Sequence, residues 1–259
     1  MVNLTRRDID LFKVLALGVA NFKMILSLLN HVYNYGISET ALLRRLSILH
    51  RAGYIATRRE PYRKLHGHFT IYALTKSAAQ ILAEQSYPGE CIRMDLPAAY
   101  FVRHEINVSS VLHRIHRESS KGHHYRYRFL DSSVLKQYRK KRSRDPIPDL
   151  LVNLYFKNST VDMNIEVDLG TVLIPKMARR IADQADTSDF IVIMCNCESR
   201  LQSLYEACSS SSYGKNNILF AHLRDFLKGG FRHTGLRTIQ DETIRFKLDN
   251  EEPCETVSK

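Results

Sequence analysis

Two carboxylates stand inside an otherwise apolar run at Ile165-Glu166-Val167-Asp168, and that placement constrains the fold more than any other feature of the chain. The surrounding stretch, Pro148 to Lys176, reads PDLLVNLYFKNSTVDMNIEVDLGTVLIPK. Its spacing predicts two short strands, Leu150 to Phe156 and Met163 to Asp168, and then a helix opening near Ile174. Alternation along a strand points Glu166 and Asp168 to one side, and Asp149 begins the strand before them. Carboxylates gathered in apolar surroundings repel one another and lose hydration, so they require a compensating cation. A hard divalent ion such as Mg2+ or Mn2+ would satisfy them. The plainer alternative is that Asp149 only starts a turn after its proline and that the pair are strand-end charges.

The chain has 259 residues and a formal charge of +11, and the charge is unevenly spread. Residues 1–144 hold 25 Lys and Arg against 10 Asp and Glu, whereas residues 145–259 hold 13 against 17. A basic front and an acidic rear suit a protein that grips a polyanion with one part and does carboxylate chemistry with another; nucleic acid is the obvious polyanion. Five cysteines at irregular spacing argue against a disulfide framework, and Cys195-Asn196-Cys197 lacks a second ligand pair for zinc. The apolar runs are too short to cross a bilayer and the first residues lack the apolar core of a signal peptide, so a cytoplasmic protein is expected.

Taken in order, Thr5 and Asp8 form a capping box ahead of a helix with Ile9, Leu11, Phe12 and Leu15 on its apolar face. A second helix is expected over 21–29. Ser38 caps a third, in which Leu42, Leu46 and Leu49 recur on one face and leave Thr40, Arg44, Ser47 and Arg51 outward until Gly53 stops it. Two strands follow around the basic loop that carries Arg63 and Lys64, with Arg58 and Arg59 on the first, and Thr75 caps another helix. A linker near 87–96 leads to a helix from Pro97 to about Arg117, with Tyr100, Phe101, Val108, Val111, Leu112 and Ile115 as its packed stripe. Next come an edge strand near 125–130 and the charged run KQYRKKRSR, whose Arg139, Lys140, Lys141 and Arg142 are candidates to clamp a phosphate backbone. Beyond the acidic stretch a helix, a buried strand, a second helix, a last strand and a short helical turn ended by glycines are expected, followed by a polar, disordered tail over 241–259.

Helices followed by a hairpin with a basic tip resemble a winged helix-turn-helix, the closest part being RLSILHRAGYI. In that resemblance Thr40, Arg44, Ser47 and Arg51 reach the major groove of double-stranded DNA, while Arg58, Arg59, Arg63 and Lys64 meet phosphates or the minor groove. The rear order resembles the restriction-endonuclease-like, PD-(D/E)XK fold. Pro148 and Asp149 match the proline and first acid of that family and Glu166 the second acid, but Asp168 stands where the lysine belongs. Lys176 is then the candidate displaced lysine, with Asp168 and Glu105 as supporting metal ligands. The whole arrangement, through GYI, YALT, HEINV, PDL and EVDLGT, is similar to the replication-relaxation family of plasmid and mobile-element proteins and, within it, to mobilisation relaxases of the MOB-C class.

These resemblances imply an α+β protein with a winged helix over 1–86 and a nuclease-like domain over 97–240. They imply metal-dependent nicking of an origin of transfer or replication by Asp149, Glu166 and Lys176, with Mg2+ or Mn2+ as cofactor and other mobilisation proteins as partners. Two other roles stay open: a catalytically inactive DNA-binding accessory, and a transcriptional regulator that uses its rear domain to dimerise.

Overall fold

A computed structural model of the chain describes residues 2–61, 67–87, 92–94, 96–122, 125–131, 146–156, 159–185, 188–210, 216–246 and 256–257. The fold is mixed α+β and divides into two units, Met1–Lys121 and Gly122–Lys259.

The first unit opens with α1 (Arg6–Ala16), where the Thr5 amide and hydroxyl both donate to Asp8 Oδ2 at 2.7 Å. A two-residue strand β1 (Ala20–Asn21) precedes α2 (Phe22–His31), which is capped by Asn21 Oδ1 accepting the Met24 N–H at 3.0 Å. Ser38 caps α3 (Glu39–Arg51), whose Leu42, Leu46 and Leu49 are buried. The turn after α3 runs through Gly53 at φ +78°, a left-handed conformation that side chains resist. The strands β2 (Ile55–Pro61) and β3 (His68–Leu74) pair antiparallel from Ile55↔Leu74 to Pro61↔His68, and β1 joins the far edge of β3. The helix α4 (Lys76–Glu84) follows, and Leu11, Phe12 and Leu15 of α1 share one core with Leu28, Leu29, Leu42, Leu46, Leu74 and Leu82.

The helix expected from Pro97 begins later. Ala99–Phe101 form a 3-10 turn and α5 runs Val102–Gly122. Val108, Val111, Leu112 and Ile115 are buried as expected, but Tyr100 is 81% exposed and Phe101 51%. The correction has a simple cause: the tighter turn breaks the helical phase that would have carried both rings onto the buried stripe. His113 Nε2 lies 3.2 Å from the Val14 carbonyl, so α5 is pinned to α1 and belongs to the first unit. The division therefore falls at the end of the long helix, between Lys121 and Gly122, whereas a linker was expected over 87–96.

The second unit is an eight-stranded sheet. In chain order it contains β4 (Arg126–Asp131), β5 (Leu150–Tyr155), β6 (Thr160–Asp168), α6 (Ile174–Gln184), β7 (Phe190–Cys195), α7 (Glu198–Ser209), β8 (Ile218–His222) and α8 (Leu223–His233). Short strands β9 (Leu236–Thr238), β10 (Thr243–Ile244) and β11 (Thr256–Val257) complete it. The spatial order runs β11-β10-β9-β8-β7-β6-β5-β4, with β6, β7 and β8 parallel at the centre. Crossovers through α6 and α7 are what permit parallel neighbours, and Met177, Ile181, Leu204 and Cys208 of these helices pack on Ile191, Ile193 and Phe220. The glycines expected to end α8 instead kink it, at Gly230 with φ 63° and ψ −163°. The tail expected from 241 begins with structure: Ile244 and Phe246 are buried, the latter against Phe231 and Phe190.

Burial lowers the His113 pKa to about 3, and burial together with Lys13 lowers that of His116 to about 4. Both rings are therefore neutral in the folded chain, and stability present above the ordinary histidine pKa is lost as pH falls toward these values. Urea unfolding at pH 7 and pH 5 should differ by on the order of 2 kcal/mol for each histidine. His113→Gln should remove its share of that slope, and an unchanged slope would show that His113 is not held neutral by the fold.

Candidate functional site

The acidic site is built on the register of the second sheet. Leu150 pairs with Ile165, so the antiparallel ladder, continued by one residue, sets Asp149 opposite Glu166. The side chain of Asp149 follows this path, and its Oδ2 accepts the Val167 N–H at 2.8 Å. Glu166 pairs with Ile193 and Asp168 with Cys195, which places both acids on the sheet face that packs under α6 and α7. They are 1% and 4% exposed.

Guanidinium groups answer the charge of both acids. Arg180 Nη2 lies 2.9 Å from Glu166 Oε1 and donates to the Ile147 carbonyl at 2.5 Å, so one residue of α6 ties Glu166 to the segment that enters Pro148-Asp149. Gln184, one helical turn on, donates to the same Glu166 oxygen at 2.5 Å. Asp168 Oδ2 accepts from Arg200 Nε at 2.6 Å, and its Oδ1 accepts the Gly170 N–H at 2.9 Å. Arg200 also holds the Val172 carbonyl, closing the loop between β6 and α6. Burial, reinforced by the Asp168 carboxylate, pushes the neighbouring Cys195 thiol up to about 12, which leaves it an inert core residue.

Arg180, Gln184 and Arg200 escaped the sequence reading. One signal was present: Lys176, Arg180 and Gln184 recur every fourth residue and so share one ridge of α6. Lys176 is exposed on the first turn of that ridge. Glu105 lies in the first unit, where its carboxylate binds Arg93. Among the described residues no group of three or more His, Cys, Asp or Glu could hold a metal ion. Arginine side chains stand at Glu166 Oε1 and Asp168 Oδ2, so a divalent cation held by these two acids through those oxygens would have to displace them.

The basic face of the first unit is built on α3. Thr40, Arg44, Ser47 and Arg51 are exposed, and Arg51 lies across Ser47 with contacts of 3.4 Å to its carbonyl and hydroxyl. Arg45 turns inward to Asp8, at 2.7 Å through Nε and 2.6 Å through Nη2. Burial pushes the Asp8 carboxyl up, but hydrogen bonds from Arg45 and Thr5 outweigh it and hold the group below its usual pKa. Arg59 is exposed on β2. Arg58 differs from expectation: its guanidinium binds Glu60 and the Pro97 carbonyl, the latter at 2.7 Å, so it is committed within the unit. Arg63, Lys64, Arg139, Lys140, Lys141 and Arg142 lie outside the described residues.

A family model described as replication-relaxation matches residues 16–188, more than half of the chain. The chain belongs to this family. The match runs from the end of α1 to just short of β7 and so includes α3, the β2–β3 hairpin and the acids of β5 and β6. No curated protein sequence matches the chain significantly. Among solved structures, Bacillus subtilis PadR in complex with operator DNA is similar at 18% identity and a TM-score of 0.29, over 55% of this chain and 82% of its own. The restriction endonuclease FokI is similar at 10% identity and a TM-score of 0.28, over 89% of this chain and 46% of its own. No helix among the described residues of this replication-relaxation protein is long and apolar enough to cross a membrane.

The ion pairs generate a stability prediction. Arg180→Ala leaves Glu166 buried without its guanidinium and should cost about 3 kcal/mol in urea unfolding. Glu166→Gln in the same chain should recover most of that loss, because it removes the stranded charge. A double variant no more stable than Arg180→Ala would show that lost packing of the arginine, not the charge, sets the cost.

Proposed function

We propose that this replication-relaxation protein is a DNA-binding protein whose first unit is a winged helix-turn-helix that reads double-stranded DNA. One observation carries the reading: α3 buries Leu42, Leu46 and Leu49 and leaves Thr40, Arg44, Ser47 and Arg51 together on the opposite, exposed face. Hydroxyl and guanidinium groups on an exposed helix face suit base edges and phosphates of the major groove. Arg59 on β2 extends the basic surface toward the hairpin tip, where Arg63 and Lys64 follow in sequence. The target is an origin of replication or transfer on a plasmid or mobile element, in line with the family to which the chain belongs.

The second unit is read as a restriction-endonuclease-like fold whose acids are neutralised by Arg180 and Arg200. That neutralisation favours an accessory role in which this unit supports DNA binding without cutting. A second reading, metal-dependent nicking of origin DNA in the manner of MOB-C class relaxases, is favoured by the placement of Asp149 beside Glu166 through the Val167 amide. In that reading Asp149 and Glu166 are the catalytic acids, Asp168 a further ligand for Mg2+ or Mn2+, and Lys176 the displaced lysine.

Two measurements test these readings. Arg44→Ala should weaken binding to origin duplex by about tenfold and lower the steepness of its salt dependence; unchanged affinity would remove α3 as the reading element. Supercoiled origin plasmid incubated with the full chain and Mn2+ or Mg2+ should stay closed in the accessory reading. Open circles that vanish with Asp149→Ala and with Glu166→Ala would establish the nickase instead.

A further inference from the structure

A groove of about 1040 Å³ opens in the first unit between the β2–β3 hairpin, the start of α2 and the start of α5. Its walls carry four aromatic rings, Phe22, Phe69, Tyr72 and Tyr100, and two cations, Lys23 and Arg103. Tyr72 is buried at the floor, whereas Tyr100 at the rim is 81% exposed and lies against the Phe101 ring with centroids 4.2 Å apart. Aromatic rings left this open are costly on a surface that meets only water. Lys23 and Arg103 are exposed and form no ion pair among the described residues. Among the described residues that line the groove the one carboxylate, Glu60, is already held by Arg58. The rim is therefore cationic around an aromatic floor, and the first unit as a whole carries 17 Lys and Arg against 9 Asp and Glu.

We propose that this groove binds single-stranded DNA, with bases stacked on Tyr100 and Phe69 and the phosphates following Lys23 and Arg103. Every base has a π-face, so aromatic platforms hold unpaired nucleotides without reading sequence, and cations along the rim follow the backbone. An apolar peptide would leave both cations without partners. Asn107 and Thr70 add polar contacts for base edges within the same walls. The position of the groove supplies the strand: Leu43 contributes to its wall from α3 and Arg44 follows it on the exposed face, while Pro61 contributes from the last residue of β2 before the hairpin tip. Duplex DNA lying on α3 would bring a locally melted strand to the mouth. The source of the strand thus rests on the proposed reading of α3, whereas the groove itself does not.

Fluorescein-labelled oligo-dT of about twelve nucleotides, within the range a stacking groove covers, titrated into the full chain and followed by anisotropy tests the assignment, with an origin duplex alongside. Tyr100→Ala, an exposed site that the fold tolerates, should weaken oligo-dT binding by about tenfold, the loss of one stacked base. It should leave duplex affinity unchanged. Lys23→Ala with Arg103→Ala should weaken oligo-dT binding similarly and flatten its salt dependence. Arg44→Ala should lower duplex affinity while sparing oligo-dT, so a failure of the α3 reading is separable from a failure of this one. No binding of oligo-dT by the native chain, or equal binding by Tyr100→Ala, would overturn the proposal. A dimer in light scattering that dissociates in Tyr100→Ala, with oligo-dT binding intact, would assign the groove to a second copy of the chain and overturn it equally.

Discussion

Buried carboxylates on the central strand of the second unit must be compensated, and the architecture around them follows from that need. Glu166 and Asp168 lie on the face covered by α6 and α7, where water cannot screen them. Each helix sends one arginine to one acid: Arg180 to Glu166 and Arg200 to Asp168. The same two arginines also hold backbone carbonyls, Ile147 before the first acid and Val172 after the last. Two ion pairs thus bind strand, helix and loop into one piece, at the place where the family match and the acid motif coincide. A buried pair of this kind adds little net stability over a well-packed apolar pair, but removing either partner is expensive, so the arrangement is specific and hard to dismantle piecemeal.

The first unit solves a different problem with the same chemistry. Asp8 is buried at the start of α1 and is met by Arg45 of α3 and by the Thr5 amide and hydroxyl. That pairing turns one arginine of the adjacent Arg44-Arg45 pair inward and leaves the other outward. The helix is thereby locked in rotation, with Thr40, Arg44, Ser47 and Arg51 presented as a fixed set. The DNA reading proposed for this face would use such rigidity, because base recognition depends on side chains held at set angles to the groove.

Much of this was legible in the residues. The leucines at 42, 46 and 49 announce the buried side of α3, Thr5 and Asp8 announce the start of α1, and the acid at every second position of Glu166-Val167-Asp168 announces a shared sheet face. These signals are local, set by helical and strand periods within a few residues. The partners were not legible. Arg200 comes from a helix beyond an intervening strand, and nothing near Asp168 in sequence marks it. Tyr100 and Phe101 matched a helical stripe on paper, yet a 3-10 turn carried them out of phase, because the preceding segment does not enter the helix where Pro97 suggests.

By itself the sequence determined the order of the main helices and strands from α1 to α8, the basic front and acidic rear, the buried stripe of α3 and the presence of acids on one face of β6. Those properties depend on composition and on the short periods of helices and strands. Only the tertiary structure decided that the acids answer to arginines and not to one another, that α5 belongs with the first unit, and that two aromatic rings stay open to solvent. Each of these depends on which distant segment packs beside which, and residue spacing along a chain carries no record of that.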